Sequence, residues 1–112
     1  MTIIRVIAKK CGIGSYNIFN VQAPKYLYEL NQQATKHKGY ITSNSYWELN
    51  DTAQQNSLGN IYTISDWESL TDWESWRLSN ERSKIHNKFS NIIEKEEFNL
   101  LYLNKTVDTF LL

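Results

Sequence analysis

The strands of this chain are predicted by runs in which apolar and polar side chains alternate. In residues 3–10, Ile4, Val6 and Ala8 point to one face, while two further isoleucines and an arginine point to the other. Both faces of this first strand therefore carry apolar side chains, which is typical of a strand that is covered on both sides. Residues 40–49, 61–65 and 98–103 predict the second, third and fourth strands.

The first helix is predicted by apolar residues at helical spacing: Tyr26 or Leu27, Leu30 and Ala34. Pro24 suits the first turn of such a helix, where its missing N–H costs nothing. Residues 11–20 would then form a turn-rich linker, although the helix could start as early as Asn17 and be kinked at Pro24. Gly39 marks the expected end of the helix.

The second helix is predicted to be broken in two. Ser69, with Asp72 three residues later, has the pattern of a helix N-cap. Ser79 and Asn80 interrupt the helical spacing, because short polar side chains compete for backbone hydrogen bonds. The second segment carries these apolar residues on one face: Ile85, Phe89, Ile92 and Ile93.

The element order β-α-β-β-α-β predicts a ferredoxin-like α+β sandwich, in which the helices cover one face of an antiparallel sheet. Residues 1–104 form this domain, residues 94–97 are expected to be a solvated charge run, and residues 105–112 form a C-terminal tail. Since both faces of the first strand are apolar, the uncovered sheet face needs a partner. A second copy of the chain is the simplest candidate.

Composition argues against several partners. Twelve basic and twelve acidic side chains give a net charge of zero, so we do not expect nucleic acid to bind. No apolar run approaches the roughly 20 residues that cross a bilayer, so we expect no membrane partner. The single cysteine, Cys11, and the lack of a signal-peptide pattern favour a cytoplasmic location.

Motifs for common chemistry are missing from the sequence. It has no metal-ligand spacing, no glycine-rich phosphate loop and no nucleophile elbow, and two histidines do not make a three-ligand zinc site. His86 is the most interesting titratable group, because it lies one helical turn from Arg82 at the edge of the apolar stripe. An imidazole beside a cavity can ligate iron or act as a base, but a histidine at a helix boundary is also an ordinary structural feature.

Residues 61–93 contain three of the four tryptophans and the most specific pattern in the chain. That pattern consists of Trp67-Glu68-Ser69-Leu70, Asp72-Trp73-Glu74, Trp76, Ser79, Glu81-Arg82 and Ile85. It resembles the antibiotic-biosynthesis-monooxygenase (ABM) domain. Residues 3–9, 39–41 and 98–103 look like the first, second and last strands of that family, so the resemblance covers nearly the whole chain. It implies a dimeric α+β barrel with a pocket between sheet and helices in each subunit.

The resemblance implies two kinds of chemistry. Haem-degrading members of the superfamily carry a pocket tryptophan ten residues before the histidine that ligates haem iron, a spacing that Trp76 and His86 match. Those enzymes also carry an asparagine on the first strand, which residues 2–10 lack. Other members oxidise quinol-like aromatics without a cofactor, in an apolar pocket whose hydrogen-bond donors hold a phenolate.

From this resemblance we expect a monooxygenase that acts on a small planar aromatic, quinol-like or haem-like, in that pocket. The expected catalytic residues are Trp76, His86 and Arg82, and the expected substrate-binding residues are Trp67, Trp73 and Tyr46. Trp73 could instead be a core residue. We expect no metal site and no cofactor, although haem could bind as substrate or as a ligand of His86. The alternative is a homodimer without catalysis that binds a small aromatic molecule or haem.

Overall fold

Four strands and three helices form the part of the chain that the computed structural model describes, residues 3–48 and 59–103. Their bounds in chain order are β1 Ile3–Gly12, α1 Tyr16–Ala34, β2 Tyr40–Trp47, β3 Asn60–Trp67, α2 Leu70–Arg77, α3 Asn80–Lys88 and β4 Ile93–Leu103. The order is the predicted β-α-β-β-α-β, with the second helix broken in two.

The strands form one antiparallel sheet in the order β2-β3-β1-β4. β1 lies inside the sheet, where Ile7 pairs with Ile64 of β3 on one side and with Asn99 of β4 on the other. The first and last strands of the chain are therefore neighbours. This is the ferredoxin-like arrangement, and the predicted α+β fold class is confirmed.

Alternation along β1 separates the two faces of the sheet. Ile4, Val6, Ala8 and Lys10 are buried, whereas the residues between them are only partly covered. The buried set faces a core that contains six large aromatic side chains: Phe19, Tyr26, Trp67, Trp73, Trp76 and Phe89. Burial of an apolar side chain of this size stabilises the fold by about 1.5–3 kcal/mol. The helices thus cover one face of the sheet, and within residues 3–48 and 59–103 no helix covers the other, which we call the open sheet face.

The first helix is longer than expected from Pro24, which was predicted to lie in its first turn. α1 begins at Tyr16 and contains Pro24, so the linker predicted over residues 11–20 is wrong, and the earlier of the two predicted starts is confirmed to within one residue. An interior proline costs a helix one hydrogen bond without ending it. α1 ends at Ala34, and Gly39, with a φ of +86°, lies in the turn before β2. The prediction that Gly39 ends the helix is therefore wrong.

Serine side chains set the start of both later helices; the cap at Ser69 was predicted, whereas Ser79 was predicted only to interrupt the helix. Ser69 Oγ accepts a hydrogen bond from the Asp72 amide at 3.1 Å, and α2 follows it. Ser79 Oγ accepts one from the Arg82 amide at 3.3 Å, and α3 follows it. The predicted break at Ser79 and Asn80 is confirmed, because α2 ends at Arg77 and α3 begins after the cap at Ser79.

The helical spacing predicted over residues 85–93 is wrong beyond Lys88, where α3 ends. Phe89 is the C-cap, Ile92 lies in a turn and Ile93 begins β4. All the apolar residues of that pattern are nevertheless buried. The hydrogen bond from the Ile92 amide to the Phe89 carbonyl closes a turn that keeps them against the same core.

The last strand starts five residues earlier than predicted. β4 includes residues 94–97, so the solvated charge run predicted there is wrong. Alternation turns Glu96 toward the helices, where 9% of its side chain is exposed, while 54% of the Glu97 side chain is exposed. The predicted tail, residues 105–112, lies outside the described residues.

Candidate functional site

A pocket of about 110 Å³ lies between the sheet and the helices and is partly open to solvent. Its wall combines two indole rings, two cations and a row of hydroxyl and amide groups. The wall includes the indoles of Trp67 and Trp76, the basic side chains of Lys10 and Arg82, and the polar side chains of Asn31, Tyr40 and Ser43. An apolar concave site with a few convergent polar groups is the usual form of a small-molecule site.

The aromatic part of the wall is held rigidly. Trp67 and Trp76 stack with ring centroids 6.4 Å apart and an interplanar angle of 20°. The Trp67 indole N–H donates to Ser65 Oγ at 3.0 Å, and the Tyr40 ring meets the Trp67 ring edge-on at 5.6 Å. Only 1% of Trp67 and 6% of Trp76 is exposed. Because these rings are packed on several sides, the parts of them that line the pocket are held in fixed positions.

Hydroxyl and amide groups of α1 and β2 form the polar part of the wall. Asn31 Nδ2 donates to Ser43 Oγ at 3.1 Å, and the Tyr40 hydroxyl shares a 2.8 Å hydrogen bond with the same oxygen. These bonds tie α1 to β2 at the pocket. They also fix the direction of the Tyr40 hydroxyl beside the indoles.

Behind the pocket, one carboxylate gathers four other polar side chains into a group that we call the Glu96 cluster: Lys10, Tyr26, Arg82, His86 and Glu96. Arg82 donates to both Glu96 oxygens at 2.8 Å, and Lys10 Nζ lies 2.5 Å from Oε2. His86 Nε2 lies 2.6 Å from Oε1. The Tyr26 hydroxyl lies 3.4 Å from Lys10 Nζ and 3.3 Å from His86 Nε2. The cluster thus joins β1, α1, α3 and β4.

Burial and charge change the acid–base behaviour of the Glu96 cluster. Burial would raise the pKa of Glu96, but the hydrogen bond from His86 and the charges of Lys10 and Arg82 hold that pKa well below its usual range. Burial lowers the pKa of Lys10, against the attraction of Glu96. Burial also raises the pKa of Tyr26, so its phenol stays neutral. The carboxylate is therefore charged, and burial makes the Lys10 ammonium a stronger acid than an ordinary lysine.

The structure brings three of the six predicted site residues together, since Trp67, Trp76 and Arg82 all line the pocket. Trp73 is buried in the core, where its ring meets Phe98 edge-on at 5.3 Å. Tyr46 is half exposed. It pairs in register with Tyr62, a neighbour of Ile61 along β3, and lies on the open sheet face. Neither Trp73 nor Tyr46 reaches the pocket wall.

The Nε2 atom of His86 is engaged by other side chains and is not free to ligate iron. Its Nε2 atom is engaged by Glu96 at 2.6 Å and by the Tyr26 hydroxyl at 3.3 Å, and the residue does not line the pocket. Ligation of haem iron through Nε2 would require both contacts to break. The residues present therefore do not fit haem ligation by His86. Among the described residues, no group of three or more His, Cys, Asp or Glu side chains is placed to hold a metal ion.

The sequence interpretation missed Lys10 and Glu96. Lys10 continues the buried register of Ile4, Val6 and Ala8, and a lysine at such a position was the available signal. Glu96 was hidden because its neighbours Glu94, Lys95 and Glu97 make residues 94–97 look uniformly solvated.

Comparison with known proteins gives the fold and little more. No family model matches the chain, and no curated protein sequence matches it. A dimeric protein of unknown function and ferredoxin-like fold from Bacteroides fragilis superposes with a TM-score of 0.74 at 11% identity, over 90% of this chain and 96% of that one. A conserved protein from Methanosarcina mazei superposes with a TM-score of 0.65 at 19% identity, over 90% and 92%.

A third similar structure has a described activity. SnoaB, a cofactor-independent oxygenase from Streptomyces nogalater, superposes with a TM-score of 0.62 at 9% identity, over 96% of this chain and 98% of that one. At such identities these likenesses establish the fold alone. No helix in residues 3–48 and 59–103 is both long and apolar enough to cross a membrane.

Proposed function

We propose that this protein is an ABM-type, cofactor-independent monooxygenase that oxidises a small planar aromatic substrate in the pocket between sheet and helices. The observation that carries the proposal is the stacked pair Trp67 and Trp76 on the same pocket wall as the cations Lys10 and Arg82. Flat indoles hold an aromatic ring, and the cations stabilise negative charge that develops on it.

The reaction that suits this wall needs no external reductant. An anthrone-type substrate loses a proton to give an anion, and the anion passes electrons to O₂. One oxygen atom replaces the two hydrogens of the ring CH₂ group as a carbonyl, and the other leaves as water. The four electrons that this carbon loses are the four that O₂ accepts. The protein's part is to align the ring, exclude water and stabilise the anion.

Pocket size limits the substrate. A cavity of about 150 Å³ holds benzene, so the 110 Å³ pocket encloses at most one ring, and further rings project through its open side. The fold likeness to SnoaB supports an oxygenase of the cofactor-independent kind. The tryptophan block at residues 67–76 supports placing the chain with ABM domains.

Oxygen uptake with anthrone-type substrates in the presence of a chelator tests the proposal. We expect one O₂ consumed for each quinone formed, without hydrogen peroxide. Trp76→Phe should lower kcat/KM about two- to tenfold, because the stacked indole contributes about 0.5–1.5 kcal/mol beyond its burial. The matched variant Trp47→Phe, at a half-exposed position outside the pocket, should leave it unchanged. Absence of turnover across single-ring and fused-ring substrates would refute the oxygenase.

A non-catalytic aromatic-binding protein is the second candidate. One observation favours it: among the described residues that line the pocket, none is a carboxylate or an imidazole that would serve as an ordinary general base. Tight binding of an aromatic without oxygen uptake, lost in Trp76→Ala, would support this candidate over the enzyme.

We also propose that the protein is a homodimer joined through the open sheet face. Ile7 and Ile64 pair across the middle of that face, and Leu101 pairs with Arg5 beside them. The likeness to a dimeric ferredoxin-like protein supports this arrangement. Sedimentation at micromolar concentration should give a dimer, which Ile7→Glu dissociates and Val21→Glu, at an exposed position on α1, does not. A monomeric wild-type protein would refute it.

A further inference from the structure

We propose that Lys10 and Arg82 form an anion site in the pocket wall, and that Lys10 is the catalytic base that takes the proton of an acidic phenol and then holds the phenolate. The inference rests on the proposed function, since it names the substrate class and the proton acceptor of the same pocket. It concerns a residue that the tryptophan block does not include.

The Glu96 cluster holds more positive than negative charge when Lys10 is protonated. Both oxygens of Glu96 are bound by Arg82, and Lys10 Nζ shares one of them. With Lys10 protonated, two cations face one carboxylate, and only 2% of Lys10 is exposed. An uncompensated buried charge is costly. The cluster relieves it in one of two ways: Lys10 loses its proton, or the pocket admits an anion.

The surroundings of Lys10 make it the base. Glu96 from β4, Arg82 from α3 and Tyr26 from α1 lie around it, and His86 of α3 contacts Glu96 and Tyr26. Glu96 and the Tyr26 hydroxyl and ring favour the ammonium form, whereas burial and the charge of Arg82 disfavour it, and burial has the largest effect on the pKa of Lys10. A neutral Lys10 amine beside the pocket supplies a proton acceptor. The other described residues of the wall offer no carboxylate or imidazole for this purpose.

The proton transfer is balanced. The phenol O–H bond breaks as a third N–H bond forms on Lys10 Nζ, and no electron changes hands. The products are an ammonium ion and a phenolate. The ammonium then lies beside Glu96, and the phenolate oxygen faces both Lys10 and Arg82. The buried excess of positive charge is thereby cancelled by the substrate's own anion.

para-Nitrophenol is a suitable probe, because it has one ring and its ionised form is yellow. We expect the protein to lower the apparent pKa of the bound phenol by about one unit or more, equivalent to a tenfold preference for the anion. para-Nitroanisole, which cannot ionise, should bind about tenfold more weakly than the phenolate. Lys10→Met should abolish most of the pKa shift, whereas Lys88→Met, which changes a lysine with a 61% exposed side chain, should keep it.

Two results would overturn the assignment: an unchanged or raised phenol pKa on wild-type protein, or a full shift that survives Lys10→Met. If Lys10→Met does not fold, the wild-type comparison of nitrophenol with nitroanisole decides alone. Failure of the proposed oxygenase is distinguishable. A lowered phenol pKa without oxygen uptake keeps the anion site and rejects the enzyme, while uptake without a pKa shift does the reverse.

Discussion

Replacing Glu96 by glutamine removes the one negative charge of the Glu96 cluster and preserves its shape. Lys10 and Arg82 would then face each other without a counter-ion, at side-chain exposures of 2% and 10%. Breaking a buried ion pair from one side costs about 3–5 kcal/mol. Because Lys10 can shed its proton in the variant, we expect the lower end, about 3 kcal/mol. That corresponds to a fall in Tm of about 12 °C for a domain of this size.

The stability that Glu96→Gln loses should change with pH on both the acidic and the alkaline side of neutrality. The native pKa of Glu96 is depressed below its ordinary 4.5, so its contribution is present above that pH and is lost from the wild type as the solution becomes more acidic. The native pKa of Lys10 is lowered from 10.5, so the unfolded chain binds more protons and stability rises with pH up to that value. This rise should be steeper in the variant, where Glu96 no longer opposes it. The difference between the two proteins is thus largest near neutrality.

Urea unfolding of wild type and Glu96→Gln at acidic, neutral and alkaline pH measures this difference. Glu97→Gln is the matched control, since it makes the same change one residue along β4 at a largely exposed side chain, and it should leave stability essentially unchanged. A Glu96→Gln loss below about 1 kcal/mol at neutral pH, or one that is flat with pH, would refute the picture of a buried, charged carboxylate on which Arg82 and Lys10 converge.

Two further stability predictions follow from local geometry. Gly39→Ala should destabilise the protein by about 1–3 kcal/mol, because φ is +86° and the new Cβ would meet the Asp72 side chain. Gly59→Ala is the control: the nearest atom to its new Cβ is 3.8 Å away, so it should be tolerated in the same urea assay. Ser69→Ala should cost about 1 kcal/mol by removing the N-cap of α2. Equal stability of both glycine variants, or a neutral Ser69→Ala, would contradict these readings.

The features that local chemistry controls were predictable from the sequence. Alternation in β1 identified a strand, Ser69 identified a helix start and Ser79 a helix break, because each hydroxyl bonds to an amide only three residues away. Topology followed from the order of those elements. Two residues of the tryptophan block, Trp67 and Trp76, line a pocket, and their role there stays a prediction.

The features that depend on distant partners were not predictable. Whether a lysine at position 10 and a glutamate at position 96 are solvated or paired is decided by contacts between residues 86 apart. Spacing along the chain likewise could not tell that Ile92 continues an apolar surface through a turn rather than a helix. The start of α1 was ambiguous because a proline is acceptable at a first turn and tolerated, at a cost, inside a helix.

Pairing of β1 with β4 has a consequence for how the protein is made. β1 leaves the ribosome well before β4, so one of its two edges stays unpaired and Lys10 stays without Glu96 until residues 93–103 have been synthesised. A nascent chain that ends before β4 exposes both a strand edge and a lysine that belongs in the interior. Folding of this sheet is therefore expected to be completed only after β4 emerges, and premature termination within residues 80–92 should yield an aggregation-prone product.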